Sequence, residues 1–456
     1  MDKLKNKRMF TMRESICVNK RYIVINFFIF LFSCILIRTV TVNAKEVTDR
    51  KELSYTIQGM GEGYTYTFDE FWVLYERYSN TYKRNIVSHD IEALKNTVAS
   101  IYSGKADKEY LSINSIIEEL KYKKQQLESY KKMLLEEPED KDSADSNSEN
   151  VVKEIDMQIA SIDSQMSQYN ASKEAAGSTV ADTKLQENLS YFYKNNQNLL
   201  INDTKNRLKF NFLKRCFQFI LAQEEIQYYK EYRNYLSVLQ SVEEIKYKKG
   251  FSRKQELERA NADLLNNEYK LEMVEKDFYL ALETVQKEIY LKDGSGLTLS
   301  FSFGKKEFDM QKTIRAFLEQ NVSYLQLKNT EQSYQTYLYS LGITNYALYQ
   351  QVSLQIRECQ LEQEELRLSI EEYVKKAINE YNLAFKEMEH AKEEQIIAEQ
   401  KHLSVEARIK QGRGTQLELY QSYMDRTSAR ITYYKSLYHI LGWEAILTSS
   451  MYGMTF

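Results

Sequence analysis

The side chains that most often carry chemistry are scarce in this chain of 456 residues, which has four histidines and four cysteines. The histidines, which have no metal-ligand spacing, are His89, His390, His402 and His439. No glycine-rich phosphate loop follows a predicted strand, and no nucleophile stands in a set with a base. We therefore predict no catalytic residue, no cofactor and no metal site, and we interpret the protein as not an enzyme.

The remaining polar and thiol groups favour structural roles. His390 and His402 are twelve residues apart, more than three helical turns, and we expect both on solvated helix faces. The abundant Glu residues are typical of the polar faces of helices. Two cysteines lie beyond the N-terminal leader, and we expect Cys216 and Cys359 to be buried free thiols, with a disulfide between them as the alternative.

The N-terminal residues 1–44 have the three-part pattern of a secretory signal peptide. A basic segment precedes sixteen mostly apolar residues, and Val42-Asn43-Ala44 could precede a cleavage site. A retained membrane anchor is the alternative, although sixteen residues fall short of the roughly 20 that span a bilayer. Both interpretations predict export to the cell envelope, and the retained anchor also predicts association with a membrane. Residues 45–456 carry 54 basic and 63 acidic side chains, which argues against nucleic-acid binding.

The body of the chain is predicted to be mainly α-helical. It has one Pro and 14 Gly, and so few helix-breaking residues permit very long helices. Two glycine-rich segments, at residues 59–63 and 293–296, each precede an alternating segment that predicts a short strand, at residues 64–68 and 297–301. A third interruption, the acidic segment 136–150 with Pro138, predicts a solvated loop.

One pattern occurs twice, 162 residues apart. Gly250 is followed by Glu256-Leu257 and Ala260, and Gly412 is followed by Glu418-Leu419 and Ser422. We predict that each glycine ends a helix in the left-handed conformation, and that Ser252 and Thr415 cap the returning helices. Each pattern is then the turn of a helical hairpin.

The twofold pattern predicts two structural repeats, at residues 45–292 and 293–456. Each contains a strand, a helix, a turn, a long helix, a glycine turn and a returning helix. In the second repeat we expect one helix over residues 346–411 after a turn at residues 340–345. The first repeat is longer by 78 residues between Phe68 and Gly250, which predicts an extended hairpin that includes the acidic loop.

These residues resemble the TolC family of outer-membrane efflux proteins from about Phe68 to Gly442. The family carries the glycine, acidic-aliphatic and small-residue pattern in both halves, and residues 316–321 look like its helix start. The resemblance implies long antiparallel coiled-coil hairpins, a homotrimeric tube, and tips that dock on a membrane-fusion adaptor of an inner-membrane transporter. The residues it places at the tips are Lys249, Gly250, Phe251, Ser252, Gln411, Gly412, Arg413 and Gly414.

The chain departs from the family at the far end of each half. The turn at residues 340–345 is too short for two spanning strands of about 9–11 residues each, so we expect no transmembrane β-barrel. The sequence therefore favours a helical conduit in an export or efflux assembly. A structural coiled-coil spacer or scaffold at the cell surface, without a channel, is the alternative.

Overall fold

The computed structural model describes residues 45–46, 51–57, 62–136, 146–290, 296–341 and 346–456. Within these ranges the chain forms nine helices and five short strands, which confirms the prediction of a mainly α-helical protein. The predicted leader, residues 1–44, lies outside the described residues. So do most of the glycines that precede the two predicted strands, and residues 342–345 of the predicted turn.

The helices of the first half follow the predicted order. They are α1 (Phe68–Tyr78), α2 (Asn80–Glu136), α3 (Ser146–Asn195), α4 (Gln197–Lys248) and α5 (Lys254–Ile289). Thr67 starts α1 because its hydroxyl accepts the Glu70 backbone N–H, while the Glu70 carboxylate accepts the Thr67 N–H at 2.8 Å. The predicted loop at 136–150 is too long at both ends, since Glu136 still belongs to α2 and α3 begins at Ser146.

The second half contains α6 (Met310–Gln320), α7 (Val322–Leu341), α8 (Tyr346–Lys410) and α9 (Gln416–Ser449). The 65 residues of α8 confirm the predicted long helix to within one residue at its C-terminal end. Residues 316–321 do not start a helix, which corrects the sequence prediction. They end α6 at Gln320, Asn321 adopts an extended conformation, and α7 begins at Val322.

A three-stranded sheet joins the two halves of the sequence. The strands are β1 (Lys45–Glu46), β2 (Lys51–Ile57), β3 (Glu62–Thr67), β4 (Gly296–Phe303) and β5 (Lys306–Glu307). Strand β4 lies in the middle, antiparallel to β2 and parallel to β3, and β1 pairs separately with β5. The strands β3 and β4 were predicted, whereas β2 was missed although Leu53, Tyr55 and Ile57 alternate with polar residues.

The chain divides into two compact units. The first contains the described residues up to Ser88, with Asn198–Ser323 and Leu366–Phe456, and the second contains His89–Gln197 and Tyr324–Glu365. Each unit takes residues from both predicted repeats. The units are therefore a different division of the chain, and the two repeats stay a prediction.

Each unit has its own apolar core. In the first unit, Phe301 of β4 packs against Phe217 of α4 and Phe68 of α1, with ring centroids 4.9 and 5.9 Å apart. In the second, Tyr337 packs with Ala181 and Val352, and its hydroxyl donates to Asp182 at 2.6 Å. Cys216 and Cys359 are both buried and free, as predicted. No described helix combines the length and the hydropathy needed to cross a membrane.

Candidate functional site

Two hairpin turns carry the residues that the sequence singles out. We call residues 249–252 the first tip and residues 411–414 the second tip. At the first tip Gly250 has a φ of +77°, and at the second Gly412 has a φ of +71°. Both glycines therefore occupy the left-handed region, as predicted.

The backbone hydrogen bonds of the two tips are the same. Gly250 N–H donates to the Tyr247 carbonyl at 2.9 Å and Phe251 N–H to the Lys246 carbonyl at 2.8 Å. At the second tip the corresponding bonds run from Gly412 to Ile409 and from Arg413 to Arg408, both at 2.8 Å. This pair of bonds is the Schellman motif, which satisfies the last carbonyls of a helix and reverses the chain.

The returning helices begin differently. Thr415 caps α9 as predicted, because its hydroxyl accepts the Glu418 N–H at 3.2 Å and the Glu418 carboxylate accepts the Thr415 N–H at 3.4 Å. Ser252 was predicted to cap α5, and this is wrong. The N-cap is Arg253, whose N–H donates to the Glu256 carboxylate at 3.2 Å.

Ser252 instead lies between two carboxylates. Its Oγ is 2.6 Å from Glu256 Oε2 and 2.9 Å from Glu243 Oε2. Hydrogen bonds from Lys246 and Ser252 hold the pKa of Glu243 below its usual value. The Ser252 hydroxyl, followed by the Arg253 N–H, lowers the pKa of Glu256. Both carboxylates therefore favour the ionised form more than a free glutamate does.

The outer surface of the first tip is basic and carries one large apolar side chain. Phe251 is 81% exposed. Lys248 pairs with Glu244 at 2.7 Å and Lys254 with Glu258 at 2.9 Å, but Lys249 and Arg253 form no ion pair with any described residue.

The second tip is more compact. A Cβ atom on Gly414 would lie 2.6 Å from Ile409 Cγ1, so the chain closes on itself at this glycine. Arg408 pairs with Glu418 at 3.0 Å across the base of the turn. The tip therefore exposes the backbone of Gln411 and Gly412 and the side chain of Arg413, without an aromatic residue.

A buried histidine lies below the second tip. His402 Nδ1 is 2.9 Å from Ser422 Oγ, and both side chains are buried. The prediction of a solvated His402 is thus wrong, whereas His390 is solvated as predicted, with 73% of its side chain exposed. Burial, and after it the charge of Arg426, lowers the pKa of His402. The small residue at position 422 leaves room for this imidazole.

A buried ion pair in the first unit was missed by the sequence analysis. Glu224 of α4 is 2% exposed and accepts hydrogen bonds from the Tyr55 hydroxyl at 2.9 Å and from Arg430 of α9. Burial raises its pKa even though Arg430 opposes the shift. A signal existed, because Glu224 continues the buried stripe of Phe217 and Ile220 at helical spacing. The pair ties α4, α9 and β2 together.

Helix α2 carries an exposed apolar stripe within the second unit. Its members, each more than half exposed and spaced by three or four residues, are Ile91, Leu94, Val98 and Ile101. The residues that α2 buries here are polar, namely His89, Asn96 and Ser103. A heptad-like apolar stripe on the exposed face is the pattern of a coiled-coil seam.

The described side chains contain no group of three or more His, Cys, Asp or Glu that could hold a metal ion. The contacts found at the tips are caps, turns and ion pairs. Their chemistry suits surface recognition, since the backbone at Gly250 and Gly412 is open, with no atom within 4 Å of an added Cβ.

No protein-family model matches this chain, and no curated protein matches it by sequence. Its structure is similar to those of bacterial channels. One is CusC, whose structures were described for the conformational changes that accompany folding and transmembrane channel formation. It shares 11% sequence identity with this chain at a TM-score of 0.40, and the match covers 76% of this chain and 94% of CusC.

Two outer-membrane channels are also similar. The Neisseria gonorrhoeae MtrE channel in its open state shares 10% identity at a TM-score of 0.37, covering 60% of this chain and 71% of MtrE. The Campylobacter jejuni CmeC channel shares 14% identity at a TM-score of 0.32, covering 62% and 66%. At such low scores, the function has to be inferred from the residues of the tips themselves.

Proposed function

We propose that this protein is a non-catalytic component of an export or efflux assembly, and that its two tips dock on a membrane-fusion adaptor. The adaptor in turn contacts an inner-membrane transporter. The observation that carries the proposal is the repetition of one turn geometry at Gly250 and Gly412, each with a glutamate three residues into the returning helix. Two turns with the same open backbone offer two equivalent contacts to a partner.

The resemblance of the tip residues to the TolC family supports this assignment. It places an adaptor contact at the residues of both tips, and these include the basic and aromatic side chains of the first. The proposed location is the cell envelope outside the cytoplasmic membrane, in association with a membrane.

We further propose that the chain assembles side by side with copies of itself, as a homotrimer. The support is the exposed stripe of Ile91, Leu94, Val98 and Ile101 on α2. Since the buried side of α2 is polar at His89, Asn96 and Ser103, the apolar side has more to gain from a partner helix.

The docking proposal is tested by Gly412→Asn and Gly250→Asn in a tagged full chain that is isolated from cross-linked cells. Asn tolerates a positive φ, so the turns persist while the side chain blocks close approach. We expect adaptor peptides in the isolated material to fall at least about tenfold. Gly453→Asn is the matched control, because Gly453 also has a φ of +77° and open space around its Cα. Undiminished adaptor recovery with both tip variants would refute the docking.

Assembly is tested by light scattering of the full chain with Leu94→Glu. We expect the trimer to dissociate, because a carboxylate in the seam is costly to bury. Ser100→Glu, which adds the same charge at an exposed position outside the stripe, should leave the mass unchanged. A wild-type chain that is a monomer at high concentration would instead favour the scaffold without a channel.

A further inference from the structure

The first tip concentrates positive charge at the end of its hairpin. Between residues 246 and 254 there are five basic side chains and no acidic one, namely Lys246, Lys248, Lys249, Arg253 and Lys254. The equivalent nine residues of the second hairpin, 408–416, carry three basic side chains and no acidic one, namely Arg408, Lys410 and Arg413. The two tips therefore present different surfaces to a partner, although their backbones match.

The hairpin neutralises only part of this charge. Lys246 pairs with Glu243, Lys248 with Glu244 and Lys254 with Glu258, all on the same helix as their partners. Lys249 and Arg253, which flank the turn, have no ion pair among the described residues. The Glu256 carboxylate accepts from the Ser252 hydroxyl and the Arg253 N–H, and the charge of Arg253 contributes to its lowered pKa. The Arg253 and Lys249 side chains nevertheless form no ion pair within the described structure.

Phe251 lies between these two cations. Its ring contributes little to the hairpin, since 81% of the residue is exposed. The left-handed Gly250 reverses the chain immediately before it. A large aromatic ring that is exposed in this way is typical of a residue that enters a pocket on a partner.

From this arrangement we infer that the first tip meets an acidic surface of a protein partner, with carboxylates for Lys249 and Arg253 and an apolar slot for Phe251. The inference rests on the proposed function, because it specifies the chemistry of the partner at the docking site. Opposite charges steer such an encounter and fix its register.

The distribution of charge favours a protein over an anionic membrane. Residues 243–259 contain six basic and four acidic side chains, and Lys248 and Lys254 beside the tip are already paired with Glu244 and Glu258. An anionic lipid surface gains little from cations that already have a carboxylate partner. A protein can instead place carboxylates opposite only Lys249 and Arg253.

The first experiment identifies what touches Phe251. Phe251 is replaced by the photo-cross-linker benzoylphenylalanine in the full chain, and cross-linked peptides are mapped by mass spectrometry. We expect a cross-link to a protein segment that carries at least two carboxylates. Cross-links to lipid, or to a neutral or basic surface, would overturn the inference. The control is the same replacement at Tyr279, an exposed residue of α5 far from the tip, which should not capture that acidic segment.

The second experiment tests the charge itself. Lys249→Glu with Arg253→Glu should lower the yield of the Phe251 cross-link at least about tenfold. Lys270→Glu with Lys276→Glu is the matched control, because it makes the same change in net charge at exposed positions of α5 that form no ion pair in the described structure. An unchanged yield with the tip variant overturns the inference.

The outcomes separate this inference from the proposed function. An adaptor that cross-links through a basic or neutral surface leaves the docking intact and removes only its acidic chemistry. Two results together would refute both the docking and its acidic chemistry. They are the absence of any adaptor cross-link at the first tip and normal adaptor recovery in the Gly250→Asn and Gly412→Asn variants.

Discussion

The two tips share a backbone and differ in almost every side chain around it. Both turns have a left-handed glycine, backbone hydrogen bonds to carbonyls at two corresponding positions, and a glutamate three residues into the next helix. The first has an exposed Phe251 and two cations without an ion pair, whereas the second has one such cation, Arg413, closes tightly at Gly414 and has a buried His402 in its hairpin. The comparison shows that a few residues can maintain the geometry of a turn while the exposed side chains and the neighbouring helix packing differ.

The largest difference in stability between the two hairpins is expected where their helices pack next to the tips. Ser422→Leu forces a large side chain into the space beside His402 and removes its hydrogen bond, so we expect a loss of about 3 kcal/mol in the free energy of unfolding. Ala260→Leu, the equivalent change in the half-buried site of the first hairpin, should cost less than about 1 kcal/mol. Urea unfolding measures both. Equal losses would show that the two hairpins are supported alike.

The two tip glycines should instead contribute equally to the free energy of unfolding. Gly250→Ala and Gly412→Ala each place a Cβ in open space but in the left-handed region, which costs about 1–2 kcal/mol. Urea unfolding of the single variants should therefore give matching losses. A clear inequality would mean that one turn has a tertiary contact that the shared geometry does not show.

Removal of the hydroxyl near the start of each returning helix should again affect the stability of the two hairpins differently, by a smaller amount. Thr415→Ala removes the cap of α9 and should cost about 1 kcal/mol. Ser252→Ala removes a hydroxyl that does not cap α5 and should cost under about 0.5 kcal/mol. Hydrogen exchange of the first turns of α5 and α9 reports each loss locally. Faster exchange in α5 with Ser252→Ala than in α9 with Thr415→Ala would contradict the observed capping.

The smallest effect is expected from pH. The pKa of His402 is lowered below its ordinary 6.5 in the folded state, so the unfolded chain binds this proton more tightly. The stability of the second hairpin is then complete above pH 6.5 and falls as the pH drops from there toward the lowered pKa. Gln240 stands 162 residues before His402, so the first hairpin lacks this response.

Hydrogen exchange, corrected for the intrinsic rate at each pH, should show protection around His402 and Ser422 decreasing below pH 6.5. Protection around Gln240 and Ala260 should stay constant. His402→Gln copies the residue of the first hairpin and should abolish the difference. A response that persists in this variant would have to come from another group.

The sequence predicted those features that local signals determine. The end of α8, the left-handed glycines and the Thr415 cap each depend on a few adjacent residues, and all three are confirmed. The cap at Ser252 was missed by one position. A hydroxyl beside a glycine turn is a good capping candidate, but here the Glu256 carboxylate takes it as a donor instead.

Features that depend on distant contacts could not be predicted in the same way. His402 lies on a charged helix, and it is buried where Ser422 of α9 packs against it. The partner of Glu224 is Arg430, which is 206 residues away. The docking role of the tips depends on a surface that belongs to another molecule.

The position of β4 has a consequence for how the chain acquires its structure during synthesis. The hairpin turns join residues close in sequence and can form as soon as they leave the ribosome. The sheet pairs Tyr55 with Leu299 and Thr65 with Thr298, so β2 and β3 must wait for more than 200 further residues. A chain cut after the first repeat would leave both strands with open edges, which invites aggregation. The three-stranded sheet is therefore completed only after β4 has been synthesised.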